Sequence, residues 1–181
     1  MTPRRSPSAA VVGVDAGGSH TTAALAEQGK ELARCSGAAG AVSPKTTLAA
    51  ARAIARTVKD ALAAGGQKAP VAAMVVGAAG AGREAERKAL EVALVRAKLA
   101  KHTRVIPDGA IALCAAFGRG TGILVHSGSG SIAYAQSEGG RIWRTGGLGW
   151  QLGDEGSGYA LARAALGAAG RAWDGRGPET E

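Results

Sequence analysis

The chain repeats itself at a long interval. Laid against itself 111 residues out of phase, Gly17 meets Gly128 and Gly29-Lys30 meets Gly140-Arg141. At the same offset Val14, Ala24 and Glu27 meet Val125, Ala135 and Glu138. Self-similarity over so long a period points to a duplicated structural unit. The first copy opens Val11-Val12-Gly13-Val14-Asp15-Ala16-Gly17-Gly18-Ser19-His20-Thr21-Thr22-Ala23-Ala24-Leu25. The second opens Gly122-Ile123-Leu124-Val125-His126-Ser127-Gly128-Ser129-Gly130-Ser131-Ile132-Ala133-Tyr134. Each reads as a short apolar strand, a turn of small residues and a second strand. A further turn then leads to a third strand, at 30–35 in one copy and 141–144 in the other.

The turns carry the chemistry. Gly17 and Gly18 permit a tight reversal, and without Cβ atoms they let backbone amides come close to a ligand. A concave turn of N–H donors with Ser19 beside it suits a phosphate. Asp15, at the end of a buried strand, suits a metal held through oxygen. The plain alternative is an ordinary hairpin. Two such hairpins facing each other would grip a polyphosphate from both sides, and the repeat favours that reading.

Between the copies, residues 44–64 place Leu48, Ala51, Ile54, Ala55, Val58 and Leu62 at helical spacing, and Gly65-Gly66 ends the run. A strand is expected over 71–76, a charged amphipathic helix over 83–100, a short strand over 103–106 and a helix over 108–117. The loop Gly77-Ala78-Ala79-Gly80-Ala81-Gly82 lacks the third glycine and the following acidic residue of a dinucleotide fingerprint. It reads as a small-residue loop beside a ligand cleft. Strands followed by alternating helical crossovers imply a mixed sheet with helices packed on it. The second copy shows three strands and one helix, at 155–166.

Charge and composition remove several function classes. The formal net charge is +8 over 181 residues, but the cations are dispersed over helical faces and the N-terminus. Aromatic residues make up 3% of the chain, too few to interleave with the charges for base stacking. Nucleic acid is therefore not an expected partner, and the charge fits attraction of an anionic substrate. Residues 69–82 are too few and too rich in glycine to span a bilayer. Residues 1–9 read as a disordered tail with no signal peptide, which implies a cytoplasmic protein. Cys35 and Cys114 have no metal-ligand spacing and read as reduced, buried small residues. There is no P-loop, no nucleophile elbow with partners in order, and no zinc spacing.

Two carboxylates stand out. Asp108 follows Pro107 where a strand gives way to a helix. It can serve as a base toward a substrate hydroxyl or as an N-cap, and the two roles are compatible. Asp154 lies in Gly146-Gly147-Leu148-Gly149-Trp150-Gln151-Leu152-Gly153-Asp154-Glu155-Gly156-Ser157-Gly158. That density of glycine suggests backbone held against a hydroxyl-rich ligand, with Asp154 accepting from it. The alternative is a turn in which Asp154 caps the next helix. Trp150 offers either a stacking face or a core residue, and core is preferred.

Asp15-Ala16-Gly17-Gly18-Ser19, Asp108-Gly109-Ala110, Ser127-Gly128-Ser129-Gly130-Ser131 and Gly147-Leu148-Gly149-Trp150-Gln151-Leu152-Gly153-Asp154-Glu155-Gly156-Ser157 occur here in one order. Together they resemble the BadF/BadG/BcrA/BcrD-type ATPases, and within them the N-acetylglucosamine and glucosamine kinases. The resemblance implies an α/β, actin-like ATPase (RNase H-like) fold, with a mixed five-stranded sheet in the first lobe. That lobe would span 10–118, and the second, incomplete because relatives continue past Glu181, would begin at 119. It implies ATP and Mg²⁺, with Asp15 serving the metal and Gly17, Gly18, Ser19, Gly128 and Ser129 the nucleotide phosphates. Asp108 would be the base that readies the sugar 6-hydroxyl for in-line attack. Ser131, Gly147, Leu148, Gly149 and Asp154 would line the sugar site. Glucosamine-specific relatives carry an acidic residue where Gly146 stands, so the sugar expected here is N-acetylated or neutral. The alternatives are an activator-type ATPase of the same family and a fragment that binds sugar or nucleotide without turnover. A homodimer is left open.

Overall fold

The computed structural model describes residues 10–180. The expected tail at 1–9 lies outside the described residues. Eight strands and four helices follow in the order β1 (Val11–Ala16), β2 (His20–Glu27), β3 (Lys30–Ala38), α1 (Thr47–Ala64), β4 (Val71–Ala78), α2 (Glu84–Arg96), β5 (Ala100–Pro107), α3 (Asp108–Phe117), β6 (Gly122–Ser127), β7 (Ser131–Gln136), β8 (Ile142–Gly146) and α4 (Gly158–Trp173). They form two compact units that divide at Ile111/Ala112, inside α3.

The first unit is built on a five-stranded sheet of order β3-β2-β1-β4-β5. β2 runs antiparallel to β1 and β3, while β1, β4 and β5 are mutually parallel. This mixed order is the RNase H-like arrangement of actin-like ATPases. Alternation along β1 sends Val12, Val14 and Ala16 to one face, where they are buried, and leaves Asp15 exposed on the other. The covering layer on the buried face is α1, whose Ala50, Ile54, Val58, Ala61 and Leu62 fall at helical spacing and are buried. Leu25, Ile54, Met74, Leu90 and Leu94 are fully buried, each contributing roughly 1.5–3 kcal/mol. At the sheet edge, Glu91 of α2 accepts the Val105 amide at 2.8 Å, which occupies one exposed donor of β5.

The second unit carries a three-stranded antiparallel sheet, β6-β7-β8. The duplication is visible in its elements: β6, β7 and α4 begin 111 residues after β1, β2 and α1. The copies differ at the first turn. The last pair of the β1–β2 hairpin is Ala16↔Thr21, whereas that of β6–β7 is Ser127↔Ser131, so the second turn is one residue tighter. They differ also in cover. Ile123 and Val125, counterparts of Val12 and Val14, are 70% and 72% exposed, and α4 has no buried residue.

Several boundaries depart from expectation for local reasons. α2 stops at Arg96, short of residue 100, because Lys98 turns left-handed at φ 53°. α4 begins at Gly158, not 155, because Asp154 and Gly156 both have positive φ. It runs on through Gly167 and Gly170 to Trp173. No described helix is long and apolar enough to cross a membrane.

Candidate active site

In the first unit, the parallel strands β1, β4 and β5 end on the same edge of the sheet, the edge where α/β sheets bind ligands. Registered across it are Ala16, Ala78 and Pro107. Asp15 lies one residue before that row and Asp108 one residue after it. Two strand spacings, about 10 Å, separate β1 from β5 at this edge. Asp15 pairs in register with Gly77, and Ile111 of α3 lies where a side chain on Gly77 would be, 2.5 Å from its ideal Cβ position. The missing side chain thus brings the first turn of α3, headed by Asp108, onto the Asp15 face.

Asp15 is exposed, and its carboxylate has no hydrogen bond or ion pair with another described residue. Asp108 is half-buried at the start of α3, and its Oδ1 accepts the Gly109 amide at 2.9 Å. Its Oδ2 has no protein partner among the described residues. The turn between β1 and β2 is closed by Gly17 N donating to His20 O at 2.9 Å. Among the described residues no hydrogen bond engages the amides of Gly18 and Ser19, so both remain available as donors.

The second unit assembles its candidate residues around Ser131. Its amide donates to Asp154 Oδ1 at 3.0 Å, and its carbonyl accepts from Gly147 N at 3.0 Å. Gly149 accepts from Leu152 N at 3.2 Å and Gly153 N at 2.9 Å, folding the glycine-rich loop back on itself. Gly128 N donates to Gly130 O at 2.9 Å and closes the β6–β7 turn. The amides of Ser129 and Gly130 are without a partner among the described residues, as those of Gly18 and Ser19 are. Asp154 is buried and left-handed at φ 63°, and its carboxylate lies 3.0–3.1 Å from the ideal Cβ position of Gly130. A side chain on Gly130 would press on that carboxylate, which would have to give by a few tenths of an ångström.

Asp154 does not cap α4. Ser157 does, accepting the Ala160 amide at 3.1 Å, while Asp154 reaches across to the turn. Trp150 is 54% exposed, not core, with its ring 5.6 Å from that of Tyr159. Cys114 is exposed on α3 and Cys35 half-buried on β3, so neither cysteine is fully buried as expected.

Residues 12–181 match the family model described as the BadF/BadG/BcrA/BcrD ATPase family. The chain belongs to this family. A relative from Clostridium acetobutylicum named N-acetylmuramic acid/N-acetylglucosamine kinase is 32% identical over 94% of this chain and 56% of its own length. A candidate N-acetylglucosamine kinase from Chromobacterium violaceum superposes with a TM-score of 0.77 at 28% identity, covering 94% of this chain and 60% of its own. Another from Porphyromonas gingivalis gives 0.71 at 25% identity, with 93% and 58% covered. The chain thus spans a little over half the length of the relatives it matches. In this member of the BadF/BadG/BcrA/BcrD ATPase family, the sequence did not single out the loop 40–42, where the Gly40 and Ala41 amides bind the first turn. Nor did it single out Gly156 O, which accepts from Ser127 Oγ at 2.9 Å. An apolar run just before Pro44 was the one available signal for the former.

Proposed function

We propose that this chain carries the phosphate turns and catalytic base of an ATP-dependent amino-sugar kinase acting on the 6-hydroxyl of N-acetylglucosamine. The observation that carries this reading is the gathering of Asp15, the free amides of Gly18 and Ser19, and Asp108 along one sheet edge of the first unit. In such a kinase, positioning and charge stabilisation supply most of the rate. The amides of Gly18, Ser19, Ser129 and Gly130 are donors suited to phosphate oxygens. Oδ2 of Asp108 takes the proton of the sugar 6-hydroxyl as its oxygen bonds to the γ-phosphorus. The bond from that phosphorus to the β,γ-bridging oxygen breaks, and ADP leaves. Asp15 suits Mg²⁺: an exposed carboxylate with both oxygens free beside a phosphate turn is the hard-oxygen donor this ion takes alongside substrate phosphates. When bound there, Mg²⁺ would neutralise phosphate charge.

The acceptor is an N-acetylated hexosamine, as the names of the relatives suggest. Gly146, at φ 73°, has no side chain to meet a free ammonium, whereas an acetamide needs no such charge. Ser131, Gly147, Leu148, Gly149 and Asp154 line this sugar site. Asp154 Oδ2, with no protein partner among the described residues, is the acceptor for a sugar hydroxyl. The test is transfer of label from γ-labelled ATP with Mg²⁺ to N-acetylglucosamine and to glucosamine. Transfer to the acetylated sugar in preference to the free amine is expected. No transfer to either at saturating ATP would leave the fragment reading in its place.

A further inference from the structure

The sequence motif accounts for the turn after β1 but not for what holds it. Gly17 O accepts two backbone hydrogen bonds, from the amides of Gly40 and Ala41, both at 3.1 Å. The next residue continues the tie: Val42 N donates to Ala79 O at 2.8 Å, and Ala79 N donates to Ala16 O at 2.9 Å. Residues 40–42 therefore form a strap, lying between β3 and α1, that links the turn to the end of β4. The second repeat pins the equivalent carbonyl. Gly128 O accepts from Gly158 N at 2.8 Å, again from residues entering the helix that follows the third strand.

The consequence follows from peptide geometry. In a planar trans peptide the C=O and the N–H of the next residue point in opposite directions. Tying Gly17 O to the strap turns Gly18 N–H away from it, and tying Gly128 O turns Ser129 N–H away likewise. These are among the amides that have no partner among the described residues. A side chain at the contact point forces its neighbours to shift. A Cβ on Gly40 would lie 2.5 Å from Thr21 Oγ1, 2.9 Å from Ala16 Cβ and 3.0 Å from Ile54 Cγ1. On the far side, a Cβ on Gly80 would lie 2.0 Å from Val42 O.

We infer that Gly40 is a positioning residue for nucleotide binding: through the Gly17 carbonyl it sets the direction of the Gly18 amide. This rests on the proposal that the turn binds phosphate. Thr21 supplies the means of testing it, since its Oγ1 is buried with no hydrogen-bond partner among the described residues and is the atom closest to the missing side chain. Removing that hydroxyl orphans nothing and relieves the shortest of the three contacts, leaving those to Ala16 Cβ and Ile54 Cγ1.

The experiment compares the parent with Gly40→Ala, Thr21→Ala and the double variant, by calorimetric titration with Mg·ATP and by amide hydrogen exchange. Gly40→Ala is expected to weaken ATP binding roughly ten- to hundredfold, the scale of an ångström-sized misplacement. Exchange should quicken in the segment 16–20 while α2 keeps the parent's protection. Thr21→Ala should bind as the parent does, and the double variant should regain part of the lost affinity. Parent-like exchange in 16–20 of Gly40→Ala overturns the inference, as does unchanged ATP affinity in a parent that binds it. So does loss of protection throughout the first unit that Thr21→Ala does not reverse. If the parent itself fails to bind ATP, the phosphate reading falls, and exchange in 16–20 alone decides whether the strap sets the turn.

Discussion

The carboxylate of Asp154 and the amide of Ser131 are joined by a 3.0 Å hydrogen bond across 23 residues of chain. Through it the glycine-rich loop after β8 holds the turn between β6 and β7. The bond involves a buried carboxylate, and the residue carrying it has φ 63°, a conformation that Asn and Asp tolerate better than other side chains. Asp154→Asn keeps both an acceptor and that tolerance, and a small loss is expected. Asp154→Ala orphans the Ser131 amide and places alanine in the left-handed region, at a cost of about 1.5–3 kcal/mol. All three tryptophans, Trp143, Trp150 and Trp173, lie in the second unit, so urea unfolding followed by tryptophan fluorescence reads this unit alone. Equal midpoints for the two variants would contradict the account.

Asp108 offers a cleaner separation of chemistry from fold. Asn at this position can still accept the Gly109 amide, so the start of α3 should be kept. What it lacks is a carboxylate able to take a proton. Asp108→Asn is therefore expected to bind ATP and sugar as the parent does while turnover falls roughly 100- to 10,000-fold. Single-turnover transfer measured beside equilibrium binding separates the two. A variant that turns over at the parental rate removes Asp108 as the base.

The duplicated helices predict opposite responses to the same kind of truncation. Ile54 of α1 is fully buried against the first sheet, and Ile54→Ala should destabilise the first unit by about 2–5 kcal/mol. Leu161 of α4 is 65% exposed, and Leu161→Ala should change stability by less than about 0.5 kcal/mol. Hydrogen exchange resolved by peptide measures both. A large loss from Leu161→Ala would mean that α4 packs as α1 does.

These elements also mark how far the residues alone could be read. The repeat announced β6 and β7 because a duplicated hairpin keeps its turn glycines, and α1 was legible because one helical face is uniformly apolar. The end of α2 and the start of α4 were not, since Lys98 and Asp154 adopt left-handed conformations that no local pattern marks. Trp150 was expected in a core because large aromatics usually bury; the glycine loop that carries it leaves it half in solvent. Asp154 was legible as important but not in its partner, because the Ser131 bond joins residues far apart in sequence. The strap at 40–42 was invisible for the same reason: its chemistry is all backbone, and side-chain types say little about which carbonyl an amide will meet.

The account stands on both turns holding phosphate. Its most direct test is a titration of isotopically labelled protein with Mg²⁺ and a non-hydrolysable ATP analogue, following the amide resonances of Gly18, Ser19, Ser129 and Gly130. The account predicts that all four shift, along one binding curve. Shifts confined to one turn, or absent from both while the analogue binds elsewhere, would contradict it.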